Sequence, residues 1–203
     1  EDVADDFQRE CLSGALCEAI FPESAIVTGH ADLNQLLQTI LQVPEVFFVE
    51  RIVYFNAPQG GALLHQDIER GHRGVVYAQL SGRTIWLSLS TGALLDAILT
   101  CARQYLRADS VSPAQVMAWL TQPDRPPWLD TLLNRDASFV AYLLKEGHGY
   151  VLNPGDILLL PQESLDCCAW HSVFCLGQTT GEGLSFALRG PAMTAAHAKT
   201  PSC

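Results

Sequence analysis

The sequence predicts a mainly β fold with helices, in which strands flank a helical block. Three observations predict it. Segments rich in aromatic and β-branched residues lie within 46–90. Apolar residues at helical spacing then fill 91–148, and strand-like segments return in 149–191. Helical spacing also marks 1–45, so we expect one domain made of N-terminal helices, a sheet in two parts and a helical insertion.

The N-terminal part contains two apolar series at helical spacing. The first series is Phe7, Cys11, Ala15 and Leu16, and the second is Leu33, Leu36, Leu37, Ile40 and Leu41. Asp32 is the candidate N-cap of the second helix, and Pro44 ends its pattern.

The first sheet segment begins at Val46 with VFFVERIVYFN, and the Pro and Gly residues of APQGGALL break it before His65. Two further strands follow, Val75–Leu80 and Thr84–Leu89. The short turn between them, Ser81-Gly82-Arg83, predicts a β-hairpin.

The insertion begins with an apolar face at Leu94, and Ser112-Pro113 has the form of an N-cap followed by Pro at the first helical position. Insertions of this length cover an active site or form a homodimer contact. Its aromatic residues either line a substrate cavity or pack the insertion onto the sheet; they are Trp119, Trp128 and Phe139. The sheet then resumes with YVLNPGDILLLP, WHSVFCL and GLSFALRG.

Composition excludes several classes of protein. The formal net charge is −10, with 12 basic residues against 22 acidic ones, whereas a protein that tracks phosphates needs a basic surplus. We therefore expect no direct nucleic-acid binding. No apolar run approaches the roughly 18–20 residues that span a bilayer, so no membrane partner is expected. The chain has seven cysteines, an odd number, and no two of them form a CxxC pair. This pattern favours reduced thiols, and reduced thiols favour a cytoplasmic location.

Three short motifs carry the candidate chemistry. His65-Gln66-Asp67 is an H-x-D in which side chains two residues apart point to one face of an extended segment. Trp170-His171 leads into a later strand, and the turn Asn153–Asp156 precedes it with the form N-P-G-D. Two histidines and one carboxylate form the facial triad of non-haem Fe(II) enzymes, which leaves half of the coordination sphere open. Catalytic zinc sites use the same ligand types, so these residues alone do not choose the metal.

The order of these segments resembles the JmjC-type, cupin-like Fe(II)- and 2-oxoglutarate-dependent oxygenases. The resemblance is carried by RIVYFNAPQGGALLHQDIERGHRGVVYAQLSGRTIWLSL and NPGDILLLPQESLDCCAWHSV. It implies a double-stranded β-helix, a cupin or jelly-roll barrel, formed by 46–90 and 149–191. It also implies Fe(II), 2-oxoglutarate and O₂ as cofactor and cosubstrates, with His65, Asp67 and His171 as the metal ligands and catalytic centre.

Two cosubstrate contacts that the family uses differ in this chain. A Lys or Arg on the second hairpin strand falls on Thr84, beside Arg83, and a Thr before the first ligand falls on Ala62. A carboxylate in a dry pocket needs a charged partner. We expect Arg189 to supply it, with Arg83 as the second candidate. Hydroxyl groups of Tyr54, Tyr77 and Ser185 are further candidate cosubstrate contacts.

The sequence thus predicts a 2-oxoglutarate-dependent dioxygenase, a hydroxylase or demethylase. The leading substrate class is an amino-acid side chain of a protein, a peptide or a small metabolite. One alternative is a cupin-like metal-binding module without turnover, which Thr84 and Ala62 favour. Another is an enzyme that uses zinc or manganese and no oxo acid. Glu69 and His72, in the loop after Asp67, are interpreted as polar loop residues or supports of the metal ligands.

Overall fold

The computed structural model describes residues 3–69, 71–106, 111–122 and 125–191, and within these the side chains of 3–7 and 104–106 are not described. The fold is mixed α/β, with eight antiparallel strands and two groups of helices. The helices are α1 (Val3–Ile20), a 3₁₀ turn (Pro22–Ser24), α2 (Ala25–Thr28), α3 (Ala31–Leu41), α4 (Thr91–Leu106), α5 (Pro113–Thr121), α6 (Pro127–Arg135) and α7 (Ala137–Lys145). The strands are β1 (Phe47–Asn56), β2 (Gly61–His65), β3 (Gly74–Ser81), β4 (Arg83–Ser90), β5 (Gly149–Leu152), β6 (Ile157–Ser164), β7 (Cys167–Leu176) and β8 (Gly181–Arg189).

The strands form two hydrogen-bonded groups of four, β1-β8-β3-β6 and β2-β7-β4-β5, and pairing of β6 with β7 joins them. Among the strands that the structure describes, the path ends at β1 and β5, so the sheet is not closed. This arrangement is consistent with a β-sandwich of the jelly-roll kind. It places β2 and β7, which carry the two histidines of the candidate triad, side by side.

One face of the first group packs against the N-terminal helices. Leu184, Phe186 and Leu188 alternate along β8 and are at most 2% exposed, and they share a core with Val27 and Leu37 of α2 and α3. Because strand side chains alternate between faces, the intervening residues of β8 point to the opposite side. Ser185 and Arg189 belong to that second set.

The insertion packs against the second group. Leu87, Leu89 and Trp170 of the strands form one apolar cluster with residues of α4 to α7. Phe139 is buried in it, and Trp119 and Trp128 pack against it in an edge-to-face pair with ring centroids 5.9 Å apart. Two roles were considered for these aromatic residues, lining a cavity and packing the insertion onto the sheet. Their described contacts are packing contacts.

Several predictions from the sequence are confirmed, and three local ones are wrong. Ser112 caps α5 with a reciprocal bond to Gln115. Both strands of the predicted hairpin form, as β3 and β4, but they do not pair with each other: β3 pairs with β6 and β8, and β4 pairs with β5 and β7, so the turn at Gly82 carries the chain from one group of strands to the other. The second helix begins two residues earlier than expected, at Ala31, because Nδ1 of His30 accepts from Leu33 N and takes the capping role expected of Asp32. The segment before His65 was interpreted as a break, but it contains β2.

No single described helix is long and apolar enough to cross a membrane, and one bent pair, Gln8–Ile20 with Pro22–Thr28, meets that test by length and composition only.

Candidate metal centre

The structure brings the three predicted ligands together. His65 is the last residue of β2 and lies directly opposite His171 of β7, with ring centroids 4.3 Å apart. Asp67 follows two residues later, with Oδ1 3.4 Å from Nε2 of His65 and Oδ2 3.3 Å from Nε2 of His171. One ligand atom from each residue lies within 4.8 Å of the others, a spacing at which one ion could contact all three.

A bulge in β2 contributes to this geometry. Ala62 pairs with Val173 and His65 pairs with His171, so β2 carries one extra residue between these pairs. An extra residue bends a strand and re-aims the side chains that follow it. The bulge therefore lies directly before the first metal ligand.

Backbone carbonyls fix both imidazole rings. Nδ1 of His65 lies 2.7 Å from the carbonyl oxygen of Leu63, and Nδ1 of His171 lies 3.1 Å from that of Ala169. A ring that donates through Nδ1 presents Nε2 to its other neighbour, as a donor when Nε2 is protonated and as a metal ligand when it is not. Both Nε2 atoms face Asp67.

Gln162 of β6 holds Asp67 relative to β7. Its Oε1 accepts from the backbone N–H of Asp67 at 3.1 Å, and its Nε2 donates to the carbonyl of Ala169 at 2.9 Å. Gln162 is fully buried, and Ala169 is also the residue that fixes the ring of His171. A single buried amide thus connects the carboxylate ligand with one of the two histidines.

The centre is closed on one side and open on the other. The side chain of His171 is 5% exposed, and Trp86 stacks on its ring at 5.7 Å with an interplanar angle of 25°. The side chains of His65 and Asp67 are 41% and 42% exposed. A metal held here would have protein ligands on its buried side and access to solvent and substrate on the other.

The pKa of Asp67 is lowered from its ordinary value. Burial raises this pKa, but the hydrogen bond with His171 and the charges of His171, His65 and His72 lower it by more. The carboxyl group is therefore ionised at neutral pH, as a metal ligand has to be.

Two of the hydroxyl groups expected to contact a cosubstrate, those of Thr84 and Tyr77, are already hydrogen bonded. Thr84 is fully buried; its Oγ1 donates to Oε1 of Gln79 at 2.6 Å and accepts from Nε1 of Trp86 at 3.0 Å. Tyr77 donates to the same Gln79 oxygen at 3.1 Å, and burial raises the pKa of Tyr77 to about 12. These side chains form one internal network beside His171.

Of the other expected cosubstrate residues, the two arginines lie apart and the two hydroxyl residues lie beside Tyr77. Arg83 is exposed at the start of β4, whereas Arg189 is buried and pairs with Glu10 of α1 at 3.2 Å. Ser185 is buried on β8, opposite Tyr77 in register. Tyr54 lies 6.2 Å from the ring of Tyr77, and its pKa is raised by burial and by the nearby charge of Asp67.

A described cavity lies apart from the triad. It has a volume of about 650 Å³ and none of the three ligands lines it. Arg189 lines it together with Glu10 and Glu50. Burial raises the pKa of Glu50, and the charge of Glu69 raises it further while His72 opposes that effect.

Comparison with known proteins adds no family. A scan against protein-family models finds no match for this chain, and a search of curated proteins finds none either. The geometry of the site therefore carries the functional argument.

Three residues of the centre were not found from the sequence. Trp86 and Gln162 support the triad, and Gln79 organises the network next to it. A signal for Gln162 does exist, because it is a polar residue directly after the apolar run Ile157–Pro161. Such an interruption indicates a buried polar contact, but it does not identify the partner.

Replacing Gln162 with leucine is expected to weaken metal binding and stability together. The change leaves the backbone N–H of Asp67 and the carbonyl of Ala169 without their partner. Supporting residues of this kind contribute about 10–100-fold to metal affinity, and an unsatisfied buried group costs about 1–3 kcal/mol. Chelator competition and urea denaturation measure the two effects. The control is Gln178→Leu, at an exposed position; unchanged metal affinity in Gln162→Leu would limit Gln162 to a structural role.

Proposed function

We propose that the chain is a double-stranded β-helix oxygenase that uses Fe(II), 2-oxoglutarate and O₂ to hydroxylate an amino-acid side chain, in a protein, a peptide or a small metabolite. One observation carries the proposal. His65, Asp67 and His171 converge with both Nε2 atoms facing the Asp67 carboxylate, within 3.4 Å. The jelly-roll order of the strands and the resemblance of the surrounding segments support it.

The donor set fits a divalent transition metal with open coordination positions. Two neutral imidazoles and one carboxylate are the ligands of the non-haem iron facial triad. Each ring is oriented by a carbonyl, and the exposed sides of His65 and Asp67 leave room for further ligands. Bound iron, 2-oxoglutarate and O₂ together supply a two-electron oxidation, in which one oxygen atom enters the substrate C–H and the other enters succinate, with loss of CO₂.

The protein's own residues orient the ligands and exclude water from one side. Trp86 covers the ring of His171, and the buried network of Tyr77, Thr84 and Gln79 fills the space beside it. A substrate would approach from the side on which His65 and Asp67 are exposed. Tyr54 is 39% exposed and lies within electrostatic range of Asp67, so it is our candidate for a substrate contact at that opening.

Arg189 remains our candidate for the carboxylate anchor. It is buried, and a guanidinium in such a place binds carboxylates through two parallel hydrogen bonds. One of its partners in this structure is Glu10. Binding of 2-oxoglutarate through Arg189 therefore requires exchange of one carboxylate for another, which predicts an affinity that increases when Glu10 is replaced with glutamine.

A specific observation favours a second candidate function, an enzyme that uses zinc or manganese and no oxo acid. Thr84 and Tyr77 are engaged with Gln79, and Arg189 is engaged with Glu10. The family position for a cationic anchor thus holds a hydroxyl group that is already hydrogen bonded. A binding module without turnover would share these features.

The experiment that tests the proposal combines spectroscopy with product analysis. Anaerobic protein receives Fe(II), then 2-oxoglutarate, and the weak visible band that requires both is recorded. O₂ is then admitted and succinate is measured. We expect the band, succinate formation above that of a protein-free control, and loss of both in Asp67→Ala. Stoichiometric Fe(II) binding without band or succinate would overturn the oxygenase proposal in favour of the second candidate, and absence of any bound metal would favour the module.

A further inference from the structure

A second cluster of metal-ligand side chains lies next to the triad. It comprises Glu50 of β1 and Glu69 and His72 of the loop between β2 and β3. One ligand atom from each lies within 4.8 Å of the others. Among the described residues, this is the one further group of three or more such side chains that meets this spacing.

His72 supplies the observation that points to a ligand. The residue is 3% exposed, and its Nε2 atom is buried without a hydrogen-bond partner among the described residues. A buried polar nitrogen without a partner costs about 1–3 kcal/mol. A metal ion would satisfy its lone pair, and no described protein atom does.

A backbone hydrogen bond connects two of the three residues, Glu69 and His72. The N–H of His72 donates to the carbonyl of Glu69 at 3.1 Å, which closes a tight turn through Gly71 at φ +82°. The positive φ favours glycine, and a Cβ on Gly71 would also make a tight contact of 3.2 Å with the guanidinium of Arg189. Two of the ligands are therefore fixed by local structure.

A bulge in β1 brings in the third ligand. Phe48 pairs with Leu188 and Arg51 pairs with Phe186, so β1 carries one extra residue between these pairs, and Glu50 lies within it. Bulges of this kind re-aim a side chain and are frequent next to functional sites. The two bulges described in β1 and β2 thus each lie beside a cluster of candidate ligands.

Carboxylates and arginines both line the cavity beside the cluster. Glu50 and Glu69 line the cavity of about 650 Å³ that three arginines also line. Two of these arginines pair with other carboxylates, Arg51 with Glu18 and Arg189 with Glu10. Two adjacent carboxylates repel each other, and a divalent cation between them removes that repulsion. The cavity gives the ion a path from solvent.

We propose that Glu50, Glu69 and His72 hold a second divalent transition-metal ion, separate from the ion of the triad. One imidazole and two carboxylates suit Mn²⁺, Fe²⁺, Co²⁺ or Zn²⁺. The loop that supplies two of its ligands also supplies Asp67, so binding at this site orders the segment that carries the carboxylate of the first site. The proposal does not depend on which reaction the triad performs.

The number of metal ions bound per protein chain tests the proposal of a second site. Metal-stripped protein is dialysed against Co²⁺, and bound metal is quantified together with the visible spectrum of the bound ion. We expect two equivalents in the unmodified protein, one in His171→Ala, one in His72→Ala and none in the double variant. His148→Ala, which removes a half-buried histidine outside both clusters, is the matched control and retains two.

A second variant tests the same site without removing a buried side chain, because His72→Ala could fail to fold. Glu69 is exposed, so Glu69→Gln keeps the shape of the side chain and leaves the core untouched. It is expected to weaken the second equivalent by about tenfold or more while circular dichroism stays unchanged. One equivalent in the unmodified protein, or two equivalents at unchanged affinity in both His72→Ala and Glu69→Gln, would overturn the proposal. Neither result bears on the oxygenase assay, so the two proposals fail separately.

Discussion

Replacing His171 with alanine is expected to abolish metal binding at the triad and, with it, succinate formation. His171 is the most buried of the three ligands, and it faces Asp67 at 3.3 Å with its ring fixed by Ala169. Residues that only support a ligand contribute about 10–100-fold to affinity, so loss of a ligand itself is expected to exceed that range. The remaining pair, His65 and Asp67, is about 40% exposed and has no third donor among the described residues.

Chelator competition with Fe(II) or Co²⁺ measures the affinity, and the succinate assay measures turnover. His148→Ala serves again as the control, since it removes an imidazole from the same chain without touching the triad. Thermal unfolding separates loss of the ligand from loss of the fold. Retention of tight metal binding and turnover in folded His171→Ala would show that the triad is not the metal centre.

The three ligands of the triad could be predicted because their signals are local. An H-x-D segment places both side chains on one face, and the aromatic-His pair lies in a strand that the pattern identifies. What brings the two segments together is the pairing of β2 with β7. That pairing joins residues far apart in sequence, and only the order of the segments indicated it.

Strand β2 itself was missed because its signal is weak. Its first residue is Gly61 in a segment containing Pro58 and Gly60, residues that favour turns over strands. The close contact with β7 explains the glycine, since a larger residue would not fit there. A local propensity was therefore overridden by a tertiary constraint.

The network beside the triad could not be predicted for a different reason. Thr84 was expected to face a cosubstrate by its place in the hairpin, but it is bonded to Gln79 and Trp86. The Glu10–Arg189 pair joins the first helix to the last strand. Contacts between side chains of separate elements depend on packing, and neither spacing nor composition encodes them directly.

Replacing Gly61 with alanine is expected to destabilise the protein by about 3 kcal/mol or more and to weaken metal binding at the triad. An added Cβ would lie 1.8 Å from the carbonyl oxygen of Val173 and 2.8 Å from Cα of Phe174, and both are backbone atoms of β7. Backbone cannot rotate away as a side chain can, so β2 and β7 must separate, and overpacking of this kind costs 1–3 kcal/mol or more. His65 and His171 are paired across the same two strands, so the separation also displaces one ligand from the other.

Urea denaturation and chelator competition on Gly61→Ala measure the two effects, and Gly92→Ala provides the comparison. A Cβ on Gly92 meets no atom within 4 Å, and this glycine lies in α4, where alanine is favoured by up to about 1 kcal/mol. The same substitution should therefore be harmful in β2 and neutral or stabilising in α4. A Gly61→Ala protein with unchanged stability would mean that β2 does not pair with β7 as described. Unchanged metal affinity despite reduced stability would mean that the two histidines are held by their own carbonyl contacts, independently of the strand pairing.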